Sequence, residues 1–350
     1  MRYYSIEFTK PDGSPFIFQS LGMPLTSLLP SGPQDPVNGL TNPAALQIEF
    51  DLPVANFTDP IAASAWLRIW GLGLQDIGAA AKLTGLGVKV FAGMARGLPL
   101  ANPSQAGLIM QGQVYQGIGN WIGTEQTVEM NFIAGGVASG SPNAPTNLPF
   151  VMPKGTPLGT AIDNALKVAF PSYQRAVSVK PNLVLDHDQH GQYQSLGQLA
   201  DFVNTLARGI IGDPNYSGIT VAIEGTKITV TDGTSSPAAK MIAFQDLIGQ
   251  PTWVGPNTIS VATVLRSDIH VGDVISLPKT IVTTTTAAVQ SLQDQSAFSG
   301  NFQVSAINHY GHSRQPDASS WNTRFQVFQT PNAAPAPTMS PPGTGLLGRI

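Results

Sequence analysis

The segments LIMQGQVYQGI (residues 108–118) and TEQTVEMNFI (residues 124–133) show most clearly how this chain folds. In the second segment Val128, Met130 and Phe132 alternate with polar residues. A period of two places apolar side chains on one face of a β-strand and polar side chains on the other. The two segments are therefore predicted to form a long hairpin in a sheet that has one buried face.

Short strand signals separated by glycine and proline fill the rest of the first third. The runs WLRIW (residues 66–70) and VKVF (residues 88–91) are predicted strands. The alanine-rich segment 74–83 is predicted to be one short helix, which Gly78 weakens.

After a loop of small, polar and proline residues at 135–149, the apolar period becomes helical. Thr156 is a predicted N-cap and Pro157 the first helical residue, followed by an apolar stripe at Leu158, Ile162 and Leu166. Proline at the first helical position is favourable because its missing N–H has no partner there.

A second helix is predicted over residues 195–208. Ser195 and Gln198 form a capping box, and the apolar residues that follow form a buried face (Leu196, Leu199, Phe202, Val203 and Leu206). A hairpin over residues 219–230 completes a small α+β unit.

From about residue 241 the pattern is again that of strands. Ile259, Val261, Thr263 and Leu265 alternate with smaller residues, and further strand signals lie near residues 302–306 and 321–328. The predicted fold class is therefore β-rich α+β, with two small tube-like β-barrels flanking an α+β insert. The predicted domains are residues 1–140, 150–240 and 241–330, followed by a mobile proline-rich tail at 331–350.

The amino-acid composition argues against several classes of protein. Only 11% of the 350 residues are charged, 18 basic and 21 acidic, for a net charge of −3. A nucleic-acid-binding module needs a basic face, so this composition argues against one. The absence of cysteine excludes disulfides and cysteine-ligated metals. No apolar run is long enough for a transmembrane helix. So few surface charges favour a component of an assembly.

The densest cluster of possible metal ligands is Asp186, His187, Asp188 and His190. Histidine nitrogens and carboxylates suit a divalent metal. The cluster follows a short apolar run and precedes a glycine, which favours a solvated hairpin tip instead. The metal site is thus the minor alternative, and no cofactor is predicted.

A second cluster combines His309, His312, Ser313 and Asp317. A serine nucleophile with a histidine base is one interpretation, but nothing resembles a nucleophile elbow. A solvated turn with one imidazole packed on Trp321 is the preferred interpretation.

The candidate carboxylate pairs for glycoside cleavage are Glu125 with Glu129 and Asp186 with Asp188. An outward strand face and a turn explain these pairs more simply. No catalytic residue is therefore predicted, and the protein is predicted not to be an enzyme.

Several motifs resemble those of tailed-phage baseplate hub proteins, which are related to the hub part of type VI secretion spike proteins. The last third resembles their final β-barrel, the middle their α+β insert and the first third their tube-like barrel. The motifs are residues 246–253 (DLIGQPTW), 264–268 (VLRSD), 271–278 (VGDVISLP), 300–304 (GNFQV), His309, 313–314, 321–323, 153–158, 193–196, 93–94 and 102–107.

This resemblance implies a homotrimer in the baseplate of a virion tail. Two barrels per subunit would let three copies imitate six and join a sixfold tail tube to a threefold spike. The implied partners are the spike, the tail tube or distal tail proteins, the tape-measure protein and DNA that passes without specific binding. A glycan-binding or glycan-cleaving tail protein is the alternative.

The tail ends in three large aliphatic residues, Leu346, Leu347 and Ile350. We expect them to dock on the spike or on a neighbouring subunit, because burying each contributes about 1.5–3 kcal/mol. An inert end is the alternative.

Overall fold

The computed structural model describes residues 2–29, 40–56, 65–95, 102–134, 147–213, 216, 218–224, 226–233, 238–255, 258–278 and 300–329. Within these residues the protein is β-rich α+β with large antiparallel sheets, which confirms the predicted class. The docking residues predicted at Leu346, Leu347 and Ile350 lie outside the described residues, as does the rest of the tail.

The first third supplies most of one large sheet. Its strands are β1 (Arg2–Thr9), β2 (Pro15–Phe16), β3 (Leu25–Thr26), β4 (Leu28–Leu29), β5 (Leu40–Thr41), β6 (Gln47–Pro53), β7 (Ala55–Asn56), β8 (Ala65–Trp70), β9 (Gly87–Met94), β10 (Gly107–Ile122) and β11 (Glu125–Ala134). The predicted hairpin is β10 with β11, and Val128, Met130 and Phe132 are buried as expected. The predicted strands at 66–70 and 88–91 lie within β8 and β9.

The segment predicted as one helix over residues 74–83 is two shorter pieces. Helix α1 (Leu74–Gly78) ends at the glycine, and a 3-10 turn (Ala80–Leu83) follows. Glycine loses the most backbone freedom in a helix, which explains the break at Gly78.

The middle of the chain forms the α+β unit. Its elements are β12 (Leu148–Met152), α2 (Leu158–Ala169), β13 (Gln174–Ser178), β14 (Gln189–Tyr193), α3 (Leu196–Ile211), β15 (Thr220–Glu224) and β16 (Lys227–Thr231). The Ser195 half of the predicted capping box is present, since the Ser195 hydroxyl accepts a hydrogen bond from the Gln198 N–H at 3.2 Å. The Gln198 side chain accepts one from the Gln194 N–H at 2.8 Å.

The start of α2 differs from the prediction by one residue. Pro157 occupies the cap position and Thr156 makes no cap bond. The Leu183 carbonyl instead accepts a hydrogen bond from the Leu158 N–H at 2.8 Å. The apolar run at 183–185 is not a strand but a segment that packs on the start of the helix, so residues 186–190 are not the tip of a hairpin formed with this run.

The last third contributes β17 (Lys240–Met241), β18 (Thr252–Gly255), β19 (Thr258–Val264), β20 (Val274–Leu277), β21 (Gly300–His312) and β22 (Trp321–Gln329). The predicted inward residues Ile259, Val261, Thr263 and Leu265 are all buried. A bulge between Val304 and Ala306 shifts the register of β21 against β22. A β-bulge adds one residue to a strand, so the face that points inward changes beyond it.

One 14-stranded sheet combines strands from both ends of the chain. Its main path is β18-β19-β22-β21-β6-β8-β11-β10-β9-β1-β2, and the β21–β6 pair joins the two ends. This path runs from edge to edge within the described residues, so two closed barrels stay a prediction. The α+β unit has its own sheet, β13-β16-β15-β7, in which β7 comes from the first third.

Three main apolar clusters form the interior. One packs under the strands of the first third, one fills the α+β unit and one lies under the strands of the last third. Leu265 and Trp321 belong to the first cluster, and Ala222 belongs to the third. These three residues pack in a cluster that belongs mainly to another part of the chain, so the predicted domains share contacts. The domain limits at 140, 150, 240 and 330 stay a prediction. None of the described helices is long and apolar enough to span a membrane.

Candidate functional site

The pairing of β6 with β21 makes the two ends of the chain one sheet. Phe50 lies opposite Gly311 in this antiparallel pair. A Cβ atom at position 311 would lie 2.2 Å from the Phe50 ring, so this close approach requires glycine. The Phe50 ring contacts the Trp321 ring edge-on with 5.3 Å between centroids. The Trp321 indole N–H donates to the Gly93 carbonyl at 3.0 Å, which anchors the last strand on the first third.

A buried polar network holds the same two parts together at a second place. The guanidinium of Arg266 donates two hydrogen bonds to Asp268, both at 2.7 Å. Its Nη1 atom lies 3.5 Å from Asp246 Oδ2. The Gln105 side-chain amide donates to the same Asp246 oxygen at 3.0 Å. The Ser267 N–H donates to the Gln105 carbonyl at 2.7 Å, so a turn of the first third is fixed to the last third.

The solvent side of the joined sheet carries aromatic and charged groups that contact each other. Trp66, Arg68 and Trp70 project from one side of β8, and the guanidinium lies 5.5 and 5.6 Å from the two ring centroids. Arg68 donates to Glu129 at 2.8 and 3.0 Å and lies 3.8 Å from Glu49. The charge of Arg68 is therefore compensated by carboxylates on both neighbouring strands.

The last third adds polar groups to this same face. The Tyr310 hydroxyl donates to Glu49 at 3.0 Å, and the His312 ring lies 5.9 Å from the Trp70 ring. Burial together with Glu49 raises the pKa of Tyr310 above its ordinary value, so this hydroxyl keeps its proton at neutral pH. The face thus extends across the β6–β21 pair without a break.

Large apolar side chains are exposed at two separate places on the sheet. At the end of the β10–β11 hairpin, Trp121 is 61% exposed and Ile122 is 76% exposed. On the edge strand β18, Trp253 and Val254 are also exposed. Edge strands and apolar groups in such positions are common sites of association.

The candidate metal ligands do not form a metal site within the described residues. His187 Nδ1 lies 2.8 Å from Asp186 Oδ1, and Asp188 accepts a hydrogen bond from the Lys154 N–H at 2.8 Å. His190 is exposed within β14 opposite Val151, not in the turn that the sequence favours. No group of three or more His, Cys, Asp or Glu residues in the described ranges has an arrangement suited to a metal.

The structure separates the residues of the alternative nucleophilic interpretation. His309 is buried, with its Nδ1 atom 2.9 Å from the Thr323 hydroxyl, and burial lowers its pKa to about 3. The Ser313 hydroxyl accepts from the Ile48 N–H at 2.9 Å, whereas His312 accepts from the Gln315 N–H. In the described part of the chain, no hydrogen bond joins Ser313 to either histidine or to Asp317.

The expectation of a solvated turn at His309 is also wrong. The bulge near Ser305 turns Ile307 and His309 inward, since β21 continues as far as His312. It is His312 that contacts a tryptophan, and that tryptophan is Trp70 rather than Trp321.

The two glutamates of the first candidate carboxylate pair lie in different surroundings. Glu129 is held by Arg68, and Glu125 is exposed at the end of the hairpin. The network around Arg266 and the ion pairs of Arg68 with Glu49 and Glu129 were not predicted from the sequence. Arg266 and Asp268 are two residues apart and form a bidentate ion pair. This spacing is the sequence signal for the Arg266 network.

No known family model matches the chain, and no curated protein sequence does. Among solved structures, the chain is similar to the tail protein from Neisseria meningitidis MC58, with 9% identity, 93% of this chain and 96% of that chain covered, and a TM-score of 0.48. It is similar to the 43 kDa tail protein of prophage MuSo2 from Shewanella oneidensis, with 7% identity, 94% and 98% covered, and a TM-score of 0.46.

A third similar structure is the E. coli c3393 protein, a component of the type VI secretion system with structural similarity to T4 bacteriophage tail proteins. The identity is 7%, the coverage 82% of this chain and 74% of that chain, and the TM-score 0.44. The chain is thus similar along most of its length to phage tail proteins and to a related secretion component.

Proposed function

We propose that this protein is a structural baseplate hub of a phage tail. In this proposal a homotrimeric ring joins the sixfold tail tube to the threefold central spike and forms part of the DNA channel. The observation that carries the proposal is the single sheet built from both ends of the chain, with a separate apolar cluster under each half. Three copies would place six such halves around an axis.

The exposed apolar groups support assembly into a closed ring. The β10–β11 hairpin end and the β18 edge are different surfaces of one subunit. Contacts between different surfaces of identical subunits are heterologous, and they close into a ring when the rotation is right. Trp121 and Trp253 would supply the buried aromatic contacts that such interfaces use.

The solvent side of the sheet is suited to line a channel. One of its cations, Arg68, is neutralised by Glu49 and Glu129. A free basic wall would bind phosphates and hold the DNA, whereas a compensated wall lets it pass. This role is structural, and no residue is assigned a catalytic part in it.

The proposed partners are the spike, the tail tube or distal tail proteins and the tape-measure protein, all in the virion tail. The segment ending in Leu346, Leu347 and Ile350 is proposed to dock on the spike. Its aliphatic side chains would be buried only on a partner, since the preceding residues are mostly proline, alanine and glycine.

Electron microscopy of the purified full chain tests this proposal. We expect rings with threefold symmetry, an axial opening and six similar lobes around it. The variant Trp121→Asp should weaken ring formation, and Thr124→Asp, at an exposed residue of the same hairpin, should not. Isolated monomers or twofold dimers in the wild type would overturn the proposal.

A second candidate function is glycan binding. The observation that favours it is the pair of half-exposed rings, Trp66 and Trp70, on a polar sheet face. A glycan panel probed with wild type and with the Trp66→Ala, Trp70→Ala variant distinguishes the two. Binding that is lost in this variant would favour the glycan function, and cleavage would add an enzymatic one.

A further inference from the structure

A cluster of charged groups lies where the α+β unit meets the last third of the chain. Glu224 ends β15, and its Oε1 atom accepts a hydrogen bond from the Val271 N–H at 2.9 Å. Its other oxygen lies 3.7 Å from His270 Nε2. These two contacts cross the boundary between the units, and Ala222 of the same strand packs into the apolar cluster of the last third.

The imidazole of His270 lies between two carboxylates. Its Nδ1 atom is 3.6 Å from Asp273 Oδ2, and the His270 backbone N–H donates to that same oxygen at 2.7 Å. Lys240 donates to Asp273 at 2.6 Å. With His270 protonated and both carboxylates ionised the cluster holds two cations and two anions, and loss of the His270 proton alone leaves it with a net negative charge.

The boundary beside this cluster is not tightly packed. A cavity of about 230 Å³ opens there, and Leu108, Glu224 and His270 from three parts of the chain line it. The remaining charged and titratable groups near His270 are few. Lys227 lies opposite Glu224 across the hairpin, the Arg266–Asp268 pair lies on the preceding turn, and buried His309 faces the same cavity.

We propose that Glu224, His270, Asp273 and Lys240 form a proton-dependent latch that holds the α+β unit against the last third of the chain. The latch is closed while His270 carries its proton and weakens when His270 loses it. Loss of the proton leaves the largely buried Glu224 facing a neutral ring. A buried carboxylate without a cation is unfavourable, and the adjoining cavity gives it access to water.

The titration of the cluster agrees with this geometry. The contact with Asp273 raises the pKa of His270, burial opposes the shift, and the charge of Glu224 adds to it. Burial favours the neutral form of Asp273, yet contacts with His270 and Lys240 hold its pKa at about 2. Burial raises the pKa of Glu224, against the influence of His270 and of the Val271 N–H.

These directions define when the latch is closed. A histidine whose pKa is raised in the folded state adds stability below its ordinary value of about 6.5, and this stability is lost as the pH rises through the folded pKa. On the acid side, protonation of Glu224 removes its attraction to His270. The latch is therefore tightest between the raised pKa of Glu224 and the raised pKa of His270.

Hydrogen exchange of the full chain tests the latch directly. Protection of segment 266–276, which contains the Val271 N–H, is compared at about pH 6 and about pH 9 after correction for the intrinsic exchange rate. We expect the wild type to lose protection at the higher pH, by about tenfold for each unit by which the His270 pKa measured by NMR exceeds about 6.5. His270→Gln should show low protection at both pH values, whereas the control His190→Gln, at an exposed histidine, should match the wild type.

A titration of the histidine ring protons by NMR keeps the test valid if His270→Gln does not fold. We expect His270 to titrate above about 6.5 in the wild type and at a lower pH in Asp273→Asn and in Glu224→Gln. The proposal is overturned if wild-type His270 titrates at or below that value. It is also overturned if His270→Gln retains the wild-type pH dependence of exchange.

Discussion

Replacing Arg266 with methionine removes one buried charge while keeping most of the side chain's apolar stem. The Arg266 side chain is 4% exposed, and that of its partner Asp246 is 10% exposed. Breaking such a buried pair from one side costs about 3–5 kcal/mol, since the remaining charge is left unpaired. Asp268 is 28% exposed and can be hydrated, so we expect about 3–4 kcal/mol for Arg266→Met.

Arg68→Met is the matched control, because it makes the same chemical change on the exposed face of the sheet. Arg68 is 37% exposed, and exposed ion pairs contribute about 0.2–1 kcal/mol. Its contacts with Trp66 and Trp70 add about 0.5–1 kcal/mol each at such sites. These contributions sum to about 1–3 kcal/mol, so we expect a smaller loss than at Arg266.

Urea unfolding followed by circular dichroism measures both changes, using the first transition if the three apolar clusters unfold separately. Adding Asp246→Leu to Arg266→Met should restore part of the stability, since it removes the unpaired charge. The reasoning is refuted if Arg266→Met is no more destabilising than Arg68→Met. It is also refuted if the double variant is no more stable than Arg266→Met alone.

Four further predictions concern other parts of the chain. Replacing His187 and His190 with alanine should leave stability and assembly unchanged, and elemental analysis showing stoichiometric metal that the variant lacks would contradict this. Phe202→Ala should lower the free energy of unfolding in urea by about 2–4 kcal/mol. The expected loss is somewhat below that of a fully buried phenylalanine, because the Phe202 side chain is half-buried against Phe150 and Tyr193. A loss under about 1 kcal/mol would show that Phe202 does not pack against these rings. Deleting residues 331–350 should leave the trimer intact and weaken spike binding in a pull-down, and full binding would contradict the docking role. His309 is neutral in the folded state, with a pKa of about 3. Its contribution to the free energy of unfolding should therefore be lost as the pH falls from about 6.5 towards about 3. His309→Gln should reduce the slope of the unfolding free energy against pH in this range.

Local patterns predicted the elements whose signals lie within one segment. The β10–β11 hairpin and α3 follow from alternation and from a capping box, both of which involve neighbours in sequence. Strand β6 shows the same alternation, since Ile48, Phe50 and Leu52 are buried and the residues between them are not. This strand was not predicted.

Other features depend on contacts that no local pattern contains. The β6–β21 pair joins residues more than 250 positions apart, and the Arg266 network needs Gln105 from the first third. The bulge in β21 moved His309 from the expected surface to the interior, because one extra residue reverses the alternation. Phe202 and Leu206 were predicted as core residues, but they lie half-buried at the edge of the α+β cluster.

The mass of the purified full chain in solution tests the proposed hub most directly. The account predicts a particle of three times the 36.8 kDa subunit mass, stable on dilution, by native mass spectrometry or light scattering. A subunit that stays monomeric at high concentration would contradict the trimeric ring and, with it, the proposed link between tail tube and spike.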